Sequence, residues 1–128
     1  MASILKVDTL TGVTTAGSIS VTGEGNSTTT NLQQGLAKAW VQTASGAAPS
    51  DSLNISGVVD NSTGNYTASF SNNMSNDDYS PTAAKITGGA GRDVGYASIA
   101  TSNMVLYSTT ASDVEDATCF GTVHGDLA

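Results

Sequence analysis

Apolar positions in the middle of the chain recur at every second residue rather than at every third or fourth. Tyr66, Ala68 and Phe70 fall on one side of an extended segment, with Thr and Ser between them. Because successive side chains of a strand point to opposite faces, this alternation predicts a half-buried β-strand. The preceding stretch 60–65 is rich in Asp, Asn, Ser and Gly, so we expect it to form the loop of a hairpin.

The same alternation predicts several further strands. Leu53, Ile55 and Gly57 share one face of a candidate strand, and 72–78 reads as a polar connection with room for one helical turn around Met74. Pro81 favours a sheet edge or a strand start, since it donates no ladder hydrogen bond. Strands at this spacing, with no long helical pattern, indicate an all-β fold, a small antiparallel β-sandwich of jelly-roll-like type. The remaining predicted strands are 39–41, 79–87, 94–100, 104–107 and 118–124.

Residues 1–36 follow a different pattern. They lack aromatic side chains and are rich in Thr, Ser and Gly. Such a segment cannot bury enough apolar surface to offset its conformational entropy, so it needs another surface to become ordered. We therefore predict an extended assembly arm over 1–36, with a short helical turn near 32–36, followed by a head domain over 37–128. The apolar residues that would make the arm's contacts are Ile4, Leu5, Val7 and Leu10.

The head is close to the lower size limit for a stable isolated core, which predicts association with its own copies. Trp40, the only tryptophan, follows directly after the predicted start of the first head strand. We expect this side chain to pack in the core or at the axis of a trimer rather than to stack on a ligand.

Composition and charge exclude several classes of partner. The net charge is -7, and the four cations Lys6, Lys38, Lys85 and Arg92 are spread singly. Nucleic-acid binding needs clustered cations to displace counterions from phosphates, so it is not expected. No run approaches the roughly 20 apolar residues that span a bilayer, and the N-terminus lacks a secretion-signal pattern. We expect a protein made in the cytoplasm, with no membrane insertion.

No catalytic or metal-binding constellation stands out. Cys119 is the only cysteine, so no intrachain disulfide is possible and we expect a buried thiol. A Ser-His-Asp set could be composed from His124, Asp126 and a serine, but in a chain with 17 Ser and 18 Thr this combination arises by chance. The sequence also lacks the nucleophile elbow that would position an activated serine. The acidic stretches 76–78 and 113–116 lack EF-hand spacing and read as solvated turns. We predict neither an enzyme nor a cofactor.

Several stretches resemble virion fibre proteins of marine bacteriophages, such as cyanophages and related ocean-bacteria phages. The opening stretches that carry the likeness are 3–17 (SILKVDTLTGVTTAG), 21–25, 28–31, 32–36 and 37–41; those resembling the head domain are 51–56, 60–61, 63–67 and 124–128. The likeness weakens between 80 and 117.

This resemblance implies a short homotrimeric tail fibre or capsid-decorating fibre on the phage particle. Its arm would attach to another virion protein, which could be a tail hub, an adaptor or the capsid, and its head would face outward. Tail attachment and capsid attachment both remain open.

Two loops, 88–93 and 108–116, combine Gly, hydroxyl groups and neighbouring tyrosines, which suits hydrogen bonding and stacking against a host-surface glycan. A passive role, in which these loops only close hairpins, is equally compatible with the sequence. The candidate tip residues are Arg92, Asp93, Tyr96, Tyr107, Asp113 and Glu115.

Two other classes of function remain open. A capsid decoration or cement protein would stabilise the shell without binding a receptor. A glycan-active enzyme would need paired carboxylates in a cleft, but Glu24 and Glu115 are the only glutamates and Glu24 lies in the arm.

Overall fold

A computed structural model of the protein divides the chain into two compact units, Met1–Gly35 and Leu36–Ala128. Each unit is considered by itself. The structure describes residues 4–13, 19–23, 28–44, 46–86, 93–110 and 113–125.

The first unit contains little regular structure. Strand β1, Ser20–Thr22, pairs antiparallel with β2, Thr29–Asn31, and the helical turn α1, Leu32–Gly35, follows where the sequence predicted one. Residues 4–13 form neither helix nor strand. The predicted arm contacts lie here and are exposed: Ile4 by 77%, Leu5 by 81%, Val7 by 57% and Leu10 by 56%.

The second unit, the head, is built from antiparallel strands, which confirms the all-β prediction. One four-stranded sheet has the order β4-β3-β10-β7, and the other has the order β5-β6-β9-β8. The strands are β3 (Ala37–Ala44), β4 (Gly46–Leu53), β5 (Ile55–Ser62), β6 (Asn65–Phe70), β7 (Ser80–Lys85), β8 (Asp93–Ala100), β9 (Asn103–Thr109) and β10 (Cys119–His124).

The core lies between the two sheets, which therefore form a sandwich. Tyr66, Ala68 and Phe70 point into it from β6, as their alternation predicted. Gly121 of β10 allows a close approach, because a β-carbon there would lie 2.9 Å from Met104 Cε. The buried apolar residues are Ala39, Val41, Tyr66, Ala68, Phe70, Met74, Tyr79, Met104, Leu106, Cys119 and Val123.

The strand order differs from the jelly-roll arrangement. The pairs β3–β4, β5–β6 and β8–β9 are consecutive strands that are neighbours within one sheet. A jelly roll instead interleaves two Greek keys. The head is thus a sandwich assembled from three sequential strand pairs, completed by β7 and β10.

The prediction of one continuous strand across residues 53–57 is wrong, because the chain turns at Asn54, the second residue of this stretch. Strand β4 ends at Leu53, Asn54 adopts a positive φ of 56°, and β5 begins at Ile55. Asparagine tolerates this left-handed region better than most residues. Its Oδ1 accepts the Asn72 N–H at 2.7 Å and its Nδ2 donates to the Asn72 carbonyl at 3.0 Å.

Three further predictions have clear outcomes. The helical turn predicted around Met74 is not formed, since the Met74 N–H donates to the Thr101 carbonyl at 2.8 Å and the side chain is buried. Pro81 does lie on an edge strand, β7. The Cys119 thiol is buried, as predicted.

Trp40 is not a core residue. It lies between Ala39 and Val41, which both point into the core, so its indole points to the opposite face of the sheet and is only half-buried. The core-packing interpretation of Trp40 is therefore wrong.

Candidate functional site

Two of the predicted tip segments meet at one end of the second sheet. Asp93, the first residue of β8, is paired in register with Thr109, the last residue of β9. The ends of the two loops proposed from the sequence are therefore adjacent. Arg92 and the glycines before it fall in 87–92, outside the described residues.

A surface depression of about 300 Å³ lies beside this pair, at the lower end of the range for small-ligand sites. Gly95 is paired with Tyr107 across the two strands, two residues along from the Asp93–Thr109 pair and therefore on the same face of the sheet. The lining residues are Asp93, Gly95, Tyr96, Ala97, Tyr107 and Thr109, which include three of the predicted tip residues.

The depression combines one aromatic side chain with polar groups. Tyr107 is 36% exposed, so part of its ring is available for stacking. One carboxylate oxygen of Asp93 accepts the Val94 N–H at 2.8 Å, which orients the side chain. A β-carbon at Gly95 would have nothing within 4 Å, so this glycine leaves open space opposite the tyrosine.

Tyr96 borders the same depression but carries a buried hydroxyl. That hydroxyl lies near the Thr122 backbone and makes no hydrogen bond of ordinary geometry. Burial raises the pKa of the Tyr96 phenol well above its usual value. The Tyr96 side chain packs against the core cluster, so its role is to support the depression structurally.

Glu115, another predicted tip residue, is committed to a structural contact. Its Oε1 lies 3.1 Å from the Nζ of Lys85, and the Lys85 side chain is only 3% exposed. The same ammonium donates to Ser108 Oγ at 3.1 Å and to the Thr109 carbonyl. No local pattern predicts the role of this lysine, which ends a strand of small and hydroxyl-bearing residues.

Asp116 is a second anchoring carboxylate that the sequence did not single out. Its Oδ1 accepts the Gly64 N–H at 2.8 Å and the Tyr66 hydroxyl at 3.0 Å. The Tyr66 oxygen in turn accepts the Ala117 N–H at 3.2 Å. Burial and the bond to Asp116 raise the pKa of Tyr66 to about 12. The acidic loop is thereby fixed to the β5–β6 turn.

Asp113, the remaining tip residue, shapes a local turn. Its N–H donates to Thr110 Oγ1 at 2.9 Å, and its carboxylate accepts the Val114 N–H at 2.8 Å. Neither Asp113 nor Glu115 lines the depression. The tip residues therefore separate into a depression-lining group and a loop-forming group.

The buried thiol shows no sign of activation. Cys119 donates from Sγ to the Ala117 carbonyl at 3.6 Å, and its N–H donates to Thr43 Oγ1 at 2.9 Å. Burial raises the pKa of the Cys119 thiol, which disfavours the reactive thiolate.

The outer face of the first sheet forms a second surface of interest, here called the tryptophan face and defined by Leu53, Trp40, Thr122 and Phe120. Trp40 is paired with Leu53 on one side and with Thr122 on the other. Phe120 lies two residues along β10 on the same face, within reach of a large side chain. Leu53 is 47% exposed.

Within the described residues, no group of three or more His, Cys, Asp and Glu side chains is placed to hold a metal ion. No helix in the same part of the chain is long and apolar enough to cross a membrane. Comparison of the chain with protein-family models, curated proteins and solved structures finds no match in any of the three.

Proposed function

We infer that the protein is a non-enzymatic structural component of a bacteriophage virion. It forms a short homotrimeric fibre, its first unit anchors the fibre to another virion protein, and its head contacts a glycan on the host surface. The observation that carries this proposal is the contrast between an exposed apolar arm and a small closed sandwich.

The tryptophan face supports self-association. It presents the only tryptophan of the chain beside Phe120 and Leu53, on the side of the sheet away from the core. Aromatic side chains are enriched in interfaces because each buries a large area at a small entropy cost. In the proposed trimer, these faces pack against each other around the axis.

The arm supports the anchoring part of the proposal. Five large apolar side chains within residues 4–13 are more than half exposed, and these residues form no strand or helix. They are Ile4, Leu5, Val7, Leu10 and Val13. Such a segment gains most of its order by binding another protein, which then contributes the missing apolar surface.

Deletion of residues 2–12 tests the anchor. We expect the shortened chain to keep a folded head, visible by circular dichroism, and to be missing from purified particles. A control chain with Thr9→Ser and Thr11→Ser should be incorporated normally. Normal incorporation of the deletion variant would contradict the proposal, and a copy number close to that of the capsid lattice would favour a decoration protein.

A further inference from the structure

We propose that the depression between β8 and β9 binds a single neutral hexose ring of a host-surface polysaccharide. This inference rests on the proposed function, because it assigns a ligand to the outward-facing head. The proposed site lies on the strand pair β8–β9 rather than in the acidic loop 113–116.

The backbone arrangement creates a place for one flat ring. Tyr107 and Gly95 are paired across β9 and β8, so the tyrosine ring lies beside a residue that has no side chain. The space of about 300 Å³ suits one sugar ring rather than an extended oligosaccharide. Pyranose rings present C–H groups on one face, which pack on a partly exposed aromatic ring.

Polar groups border the same space. The Asp93 carboxylate and the Thr109 hydroxyl lie next to each other at the end of the strand pair. A carboxylate only accepts hydrogen bonds, so it matches the hydroxyl donors of a sugar, and charge-assisted bonds of this kind are stronger than neutral ones.

The negative charge of the protein and of the depression distinguishes neutral sugars from acidic ones. The protein has a net charge of -7, and Asp93 places a negative group in the lining. A uronic acid would bring a second carboxylate close to Asp93, and like charges in one site disfavour binding. The site therefore favours uncharged hexoses over acidic ones.

A polar surface continues from the depression across the sheet. Asn65 is paired with Tyr107 on the neighbouring strand β6. The Asn61 side chain donates to Asn65 Oδ1 at 3.0 Å and to Thr67 Oγ1 at 2.8 Å, which holds this row of polar side chains in place. Sugar units attached to the bound ring would meet hydrogen-bonding groups here instead of an apolar surface.

Two glycines offer a matched pair of variants. A β-carbon would meet nothing within 4 Å at either Gly95 or Gly57, so valine fits both positions. Gly95 lines the depression, whereas Gly57 lies on β5, the opposite edge strand of the same sheet. Valine is favourable in strands, so both variants should fold.

The test uses saturation-transfer NMR on the full-length protein with the methyl glycosides of glucose, galactose, mannose and N-acetylglucosamine, and with methyl glucuronide. We expect binding of at least one neutral glycoside. Gly95→Val and Tyr107→Ala should weaken that binding by about tenfold or more, whereas Gly57→Val should not change it. Tyr107→Phe should retain most of it, since the ring remains.

Three results would overturn the inference: no signal from any neutral glycoside, equal binding of methyl glucuronide, or unchanged binding in Gly95→Val. Particle incorporation of the Gly95→Val chain separates this inference from the proposed function. Loss of sugar binding with normal incorporation supports both. An unmodified chain that binds sugar but is absent from particles would contradict the fibre proposal alone.

Discussion

The Lys85 ammonium lies 3.1 Å from the Glu115 carboxylate, with 97% of the lysine side chain removed from solvent. This ion pair joins the end of β7 to the acidic loop that follows β9. Because Lys85 also donates to Ser108 and to the Thr109 carbonyl, one cation links the end of β7 both to the end of β9 and to the acidic loop.

Replacing Glu115 alone should destabilise the head. Glu115→Gln leaves the buried ammonium without its counter-charge, and we expect the free energy of unfolding to fall by about 2–3 kcal/mol. The double variant Lys85→Met/Glu115→Leu should recover much of this loss, because no buried charge remains. Urea denaturation of Lys85→Met, of Glu115→Leu and of the double variant measures the coupling between the two side chains, and additive losses would contradict it.

Gly64 should resist substitution. It has a positive φ of 68°, and a β-carbon there would collide with the Ser108 carbonyl and lie 2.9 Å from the Glu115 carbonyl. Both contacts are backbone atoms that cannot rotate away. Gly64→Ala should therefore lower the free energy of unfolding by more than about 1–2 kcal/mol. Gly57→Ala, which meets open space, is the matched control, and equal stability of the two variants would contradict this expectation.

Trp40 should control the oligomeric state. Trp40→Ser removes the largest apolar side chain of the tryptophan face without opening a cavity in the core, so we expect the trimer to dissociate while the head stays folded. Sedimentation equilibrium measures the change. Tyr107→Ala, on the outer face of the other sheet, should leave the trimer intact. A folded wild-type monomer with a concentration-independent Tm would contradict the trimer itself.

Alkaline pH should destabilise the head through its buried tyrosines. The folded-state pKa of Tyr66 is about 12 against 10.0 for an unperturbed phenol, and burial raises the pKa of Tyr79 as well. Above pH 10 the unfolded chain loses these protons while the folded chain keeps them, so stability falls as pH rises through this window.

Thermal unfolding between pH 8 and pH 12 tests this dependence, with phenolate absorbance as the second measurement. Tyr66→Phe should remove part of this loss of stability at alkaline pH, because the substituted side chain has no proton to release. It should also lower stability by about 1–2 kcal/mol at pH 8, because Asp116 and the Ala117 N–H lose their bonds to the hydroxyl. If the stability of Tyr66→Phe depended on pH in the same way as that of the unmodified chain, the assignment of this dependence to Tyr66 would be contradicted.

Local alternation predicted much of the head, because a strand with one face in the core has an apolar residue at every second position. Tyr66, Ala68 and Phe70 are an example. The same rule failed where one residue reversed the chain: alternation continued across Asn54, but the positive φ there separates two strands. Strand β4 was not predicted because its first half, Gly-Ala-Ala-Pro, has no alternation of apolar and polar residues.

The candidate site could be predicted only in part. Asp93, Tyr96 and Tyr107 were named as tip residues, and all three line the depression. The importance of Gly95 depends on its register with Tyr107, which no local pattern reveals. Likewise, the pairing of Lys85 with Glu115 joins residues that are 30 positions apart.

Among the described strands of the head, β10 is the last to be synthesised, yet it lies between β3 and β7 inside the first sheet. Until Cys119–His124 has emerged, β3 and β7 have no common neighbour, and the core lacks Cys119 and Val123. We therefore expect a nascent chain to expose unpaired strand edges until β10 has been synthesised, and the head to complete its fold only then. We expect any association of copies through the tryptophan face to wait for the same event, because Thr122 and Phe120 of that face belong to β10.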